Sequence, residues 1–186
     1  MRSHTRSTLL MLTAIAALAA PVAVSLSVTP DWRASPRFDG QAYLVSDADV
    51  VRQVLDPSGS AAVLATLDAW RGGSSSEAAV LAVLEGGGFD FQLATLAAVL
   101  DEQGFAGRWL TGSDATALER VATPFIARLT DDGGRLVIVR QVAIDHVYVA
   151  DPLRGNVLYP LARFAEVWAG QIFTFDELPA VPQPWR

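Results

Sequence analysis

Gln53 stands six residues ahead of Gly59 and Ser60, and that pair opens an Ala- and Leu-rich run from Ala61 to Leu67. Side chains able to do chemistry are few around it. The chain contains no cysteine, which removes thiol nucleophiles, disulfides and thiolate metal sites together. Ser58 and Ser60 carry the nearest hydroxyls, but a serine nucleophile needs a positioned base. The two histidines are His4, close to the N-terminus, and His146, five residues before Asp151. His146 reads as a polar strand-edge residue, and Ser58 and Ser60 read as caps of the following helix. Asp151-Pro152 is an ordinary turn starter. Two histidines are too few for a histidine-based metal site, and no metal or other cofactor is expected. The runs GGSSSE and EGGG lack a following Lys-Ser/Thr, so they are not phosphate loops.

The elements that must position these residues divide the chain. Arg2 and Arg6 precede an uncharged stretch from Ser7 to Pro30. Positive residues stay cytoplasmic, so the rest should face the periplasmic side of a bacterial inner membrane or be secreted. Two readings stay open for residues 1–28. One is a cleavable signal peptide ending at Ala17-Leu18-Ala19; the other is a retained membrane helix with Trp32 as its interfacial anchor. Residues 29–40 read as a linker, 41–178 as one domain and 179–186 as a Pro-rich tail. Hydrophobic residues make up 51% and charged ones 18%, which excludes a disordered chain and a polytopic membrane protein. The formal net charge of −6 argues against a nucleic-acid partner.

Within the domain the apolar period changes half-way. Ser60 to Arg71 has helical spacing and is stopped by Gly72-Gly73. Ser74 and Glu77 form an S-x-x-E capping box for a short second helix ending at Glu85. Phe91 to Gln103 reads as a third helix, and Asp114 to Val121 as a fourth. Phe125–Leu129, Leu136–Val142, Val147–Ala150, Asn156–Tyr159 and Gln171–Phe175 are then rich in β-branched and aromatic residues, as strands are. Residues 131–134 and 151–155 are turns between them, and Leu161 to Trp168 is one more helix. Helices followed by an antiparallel sheet give an α+β class. Trp70, Trp109 and Trp168 are expected in the core, with Trp32 and Trp185 flanking the domain.

Several blocks in order carry a resemblance: Gln53 to Leu67; Gly88-Phe89 with Leu93; Gln103 to Phe105; Thr123 to Ile126; Arg135 to Val139; Asp151 to Asn156; and Phe164 to Gly170. From about Val51 to Phe175 the chain resembles the double-glycine (bacteriocin-processing) peptidases, papain-like cysteine peptidase family thirty-nine. The resemblance implies a papain-like fold, an N-terminal helical half packed on an antiparallel sheet. It puts Gly59 at the position of the catalytic cysteine and Arg135 at that of the catalytic histidine. Gln53 matches the oxyanion-stabilising residue and Asp151 the residue that orients the histidine.

Glycine supplies no nucleophile, and a guanidinium with a pKa above ~12 is no general base at neutral pH. A pseudopeptidase is therefore expected, with no catalytic residues and with Gln53, Arg135 and Asp151 as candidate binding residues. Arg135 and Asp151 could form an ion pair that plugs the old site or offers a guanidinium to a ligand carboxylate. Alternatively Arg135 simply follows a turn into solvent. The resemblance favours binding of a protein or peptide partner, as an adaptor or chaperone for an exported protein. The rival readings are an accessory subunit docked in a membrane complex by residues 7–30, and a hydrolase with a non-cysteine nucleophile.

Overall fold

A computed structural model describes residues 43–54, 59–85, 93–112, 114–132 and 134–182. The segment from 1 to 42, read as signal or anchor plus linker, lies outside the described residues, as do Ser58, Phe89 and Trp185. No helix among the described residues is long and apolar enough to cross a membrane. The elements run β1 (Tyr43–Ser46), α1 (Gly59–Trp70), α2 (Glu77–Glu85), α3 (Leu93–Glu102), β2 (Gly107–Thr111), a 3-10 turn (Ala115–Arg120), β3 (Phe125–Leu129), β4 (Arg135–Val142), β5 (His146–Asp151), β6 (Gly155–Pro160), α4 (Leu161–Val167) and β7 (Trp168–Phe175).

All seven strands join one antiparallel sheet in the order β1-β6-β5-β4-β3-β7-β2. Helix α1 packs on one face, where Ala61, Val63, Leu64, Leu67 and Trp70 form a cluster with Leu136, Ile138, Ala150 and Phe173. Val80 and Leu84 of α2 and Leu96 and Leu100 of α3 complete that cluster. On the other face Phe164 and Val167 of α4 pack with Val137, Val139, Val147, Val149 and Tyr159. Alternate residues of β4 thus enter different cores, which is why Leu136 to Val139 reads as an unbroken apolar run. The α+β expectation holds, with the helical half on the sheet as anticipated.

Three local readings need correcting, and two strands went unread. The Asp114–Val121 segment forms a 3-10 turn rather than an α-helix. The cap of the second helix lies two residues after Ser74: the Ser76 hydroxyl accepts the Ala79 N–H at 3.2 Å, and the helix starts at Glu77. Trp168 begins β7 instead of ending α4, because it pairs across to Leu129. Strands β1 and β2 carried no signal clear enough to read in advance. Strand β2 holds its place by full pairing with β7, and a Cβ at Gly107 would come within 2.2 Å of the Thr174 carbonyl oxygen. The stop after α1 behaves as read: Gly72 adopts φ +85°, and the Gly72 and Gly73 amides donate back to the Ala69 and Asp68 carbonyls.

Candidate functional site

Residues 46–54 form little regular structure beyond the end of β1, yet side chains from the surrounding elements fix this segment almost residue by residue. Asn156 of β6 donates to the Ser46 hydroxyl and the Ala48 carbonyl. The Trp70 indole donates to the Asp49 carbonyl at 2.7 Å, and Thr66 accepts the Val51 N–H at 2.9 Å. The Gln53 N–H donates to the Pro152 carbonyl at 2.8 Å, and Arg52 donates to the Pro152 and Leu153 carbonyls. Both carboxylate oxygens of buried Glu77 accept the Val54 N–H at 3.0 Å. This fastening delivers the Gln53 side chain to the head of α1. A Cβ built on Gly59 would lie 3.1 Å from Gln53 Oε1, and among the described residues only Gln53 comes within 4 Å of it outside the helix itself.

The second group sits where the β3–β4 and β5–β6 turns meet. Arg135 Nε and Nη2 donate to Asp151 Oδ2 at 3.1 and 3.0 Å, and Nη2 also donates to the Tyr159 hydroxyl at 3.0 Å. Its Nη1 donates to the Asp131 carboxylate and to Asp132 Oδ2. All five N–H donors of the guanidinium are thereby used. Asp151 is fully buried, and its Oδ1 accepts the Leu153 N–H at 2.9 Å, which shapes the turn. Arg154 reaches in from the same turn, donating to the Tyr159 hydroxyl at 2.6 Å and to Asp132. Burial works to lower the Arg135 pKa, but the charges on Asp151 and Asp131 more than reverse it, so the group is held cationic. Burial also raises the Tyr159 pKa, helped by the Asp151 charge and opposed by the two arginines.

The expected ion pair between Arg135 and Asp151 is therefore present. The solvated alternative is not: the Arg135 side chain is 5% exposed. Nor has this guanidinium a donor left for a ligand carboxylate. Gly59 and Gln53 are brought together, as are Arg135 and Asp151, and the Gln53–Pro152 backbone bond links the two groups. His146 takes no part. It begins β5 at the end opposite Asp151, and its Nδ1 faces Asp145. Five residues of extended strand put roughly 17 Å between the two positions. Among the described residues no group of three or more His, Cys, Asp or Glu is arranged to hold a metal ion.

The sequence matches the peptidase C39 family over residues 49–179. The chain belongs to that family. Solved structures agree on the fold. A double-glycine motif protease from an AMS/PCAT transporter, in complex with its leader peptide, superposes with a TM-score of 0.59 at 16% identity. The match covers 73% of this chain and 91% of that one. The peptidase domain of Streptococcus ComA, a bifunctional ABC transporter, also gives 0.59, at 18% identity over 72% of this chain and 98% of that domain. The Streptococcus mutans ComA peptidase domain with an inhibitor gives 0.52 at 14% identity over 69% and 98%. No curated protein matches the sequence significantly.

Membership of the C39 family gives the sequence resemblance its frame, and the papain-like fold follows with it. Three contributors to the site escaped sequence reading. Tyr159 and Arg154 enter through the β5–β6 pairing, in which Asp151 stands opposite Gly155. Glu77 matched a capping box, and only the folded chain shows its carboxylate turned toward Val54.

Proposed function

We propose that this C39 domain binds an extended polypeptide of the double-glycine leader class and does not cut it. The observation that carries the reading is at the head of α1. There the fold keeps Gln53 beside position 59, and position 59 is a glycine in a chain without cysteine. Main-chain hydrogen bonding of an extended peptide needs no catalytic group, so loss of the nucleophile leaves recognition available. Arg135, tied to Asp151 on the sheet, supplies no general base. The double-glycine protease crystallised with its leader peptide supports this ligand class by kinship. The role that fits is an adaptor or chaperone for an exported protein. Titrating a fluorescent double-glycine leader peptide with the full-length protein should give saturable anisotropy, and a scrambled peptide should not. Equal response to both peptides would sink the reading.

We place this domain on the far side of the inner membrane, where it would meet its partner after export. Arg2 and Arg6 ahead of the uncharged residues 7–30 support that placement. N-terminal sequencing of the protein from cells checks it. A chain beginning at Ala20 means a cleaved signal and a free domain. A retained N-terminus in the carbonate-washed membrane fraction means an anchored one. An intact N-terminus in the cytoplasmic fraction would contradict export.

A further inference from the structure

Glu77 of α2 carries a buried carboxylate that reaches the segment ahead of α1, and neither the sequence motifs nor the ion cluster accounts for that contact. It is the first residue of its helix, where a carboxylate ordinarily serves that helix's own N–H groups. Here the helix is capped by Ser76 instead, and the Glu77 carboxylate is turned onto the amide of Val54, 23 residues earlier. The contact is symmetric, with both oxygens 3.0 Å from the nitrogen. Val54 follows Gln53 directly and is 81% exposed as a residue, so packing of its side chain does not hold the backbone there. Among the described residues a pair of hydrogen bonds at successive amides holds it: Gln53 N–H to Pro152 and Val54 N–H to Glu77.

We infer that Glu77 is a positioning residue for the candidate site, fixing the Gln53–Val54 backbone so that the Gln53 carboxamide stays against position 59. The role rests on the peptide-binding reading above, because it gives Gln53 something to be positioned for. A backbone N–H held by a charge-assisted acceptor is more tightly placed than one held by a neutral group. A site residue on an irregular segment is only as well placed as the contacts behind it. The segment is held from the sheet side at Pro152, Leu153 and Asn156, and from the helical half at Thr66, Trp70 and Glu77. Glu77 is the only one of the three helical contacts to reach beyond Gln53, so it closes the segment at its far end.

Three variants of the full-length protein separate this role from a merely structural one. Glu77→Ala removes the acceptor, Glu77→Gln keeps an acceptor oxygen, and Ser76→Ala weakens the start of α2 without touching Val54. Amide hydrogen exchange at Val54 should speed up at least tenfold in Glu77→Ala and return most of the way in Glu77→Gln. Leader-peptide affinity should fall about tenfold in Glu77→Ala alone, with Ser76→Ala binding like the parent protein. Unchanged exchange at Val54 overturns the inference. So does an affinity loss in Ser76→Ala as large as in Glu77→Ala, or faster exchange with unchanged affinity. If the parent protein binds no leader peptide, the peptide-binding reading falls by itself. The positioning role is then decided by exchange together with the rate of thiol labelling in Gly59→Cys, which should change when Glu77→Ala is added and stay put if Glu77 does not place Gln53.

Discussion

Arg135→Ala will lower the unfolding free energy by about 3–5 kcal/mol, the cost of breaking a buried ion pair from one side. The magnitude follows from burial. The Arg135 and Asp151 side chains are 5% and 0% exposed, so water cannot replace the lost guanidinium. Asp151 would keep only the Leu153 N–H and a long, 3.5 Å contact from the Tyr159 hydroxyl. Asp131 and Asp132, which share the same guanidinium, would be left facing Asp151 with Arg154 as the remaining cation. Removing both charges together, as Arg135→Met with Asp151→Leu, should cost much less, since no unpaired ion then remains in the interior. Chemical denaturation of the two variants provides the check. A loss below about 1 kcal/mol for Arg135→Ala would mean that the cluster is not a buried unit.

Gly59→Cys should give a thiol more reactive than free cysteine. Position 59 is the first residue of α1, where unpaired N–H groups favour an anion, and each pKa unit below ~8.5 raises the thiolate fraction at neutral pH about tenfold. Intrinsic nucleophilicity falls with pKa and returns roughly half of that on a logarithmic scale, leaving about a threefold gain per unit. The Cβ lies 3.1 Å from Gln53 Oε1, a contact that the end of a flexible side chain can yield to. Adding Arg135→His tests whether position 135 communicates with position 59. Faster labelling in the double variant would show that an imidazole there reaches the thiol. The single variant's rate is read with iodoacetamide at pH 7 against free cysteine. A rate equal to or below that of free cysteine would show that position 59 is not an activating site.

Much of the frame was legible because it is locally encoded. Leu136 to Val142 announced a strand, Asp151-Pro152 announced its turn, and the Gly72-Gly73 pair announced the end of α1. What escaped depends on partners far apart in the chain. Strand β2 reads Gly-Arg-Trp-Leu-Thr, with no strict alternation, and is a strand because β7 pairs with it at every residue. Ser74 and Ser76 precede the same helix, and only the folded chain shows that Ser76 caps it. At the site, Gln53, Gly59, Arg135 and Asp151 were all visible through a motif resemblance, and so was the Arg135–Asp151 pair, but the further partners of that pair were not. The saturation of Arg135 depends on two aspartates three and four residues before it and on Tyr159 from the neighbouring hairpin. A reading of residue types alone cannot count the donors that a folded guanidinium has left.

The most direct measurement is mass spectrometry of a double-glycine leader peptide recovered from its complex with the full-length protein after prolonged incubation. Binding without cutting predicts co-eluting peptide of unchanged mass, at a protein-to-peptide ratio near unity. Fragments ending in the double glycine, formed in proportion to enzyme and time and lost in Ser60→Ala, would contradict the account by showing catalysis through a nucleophile other than a thiol. Failure of the intact peptide to co-elute at any concentration would contradict it from the other side.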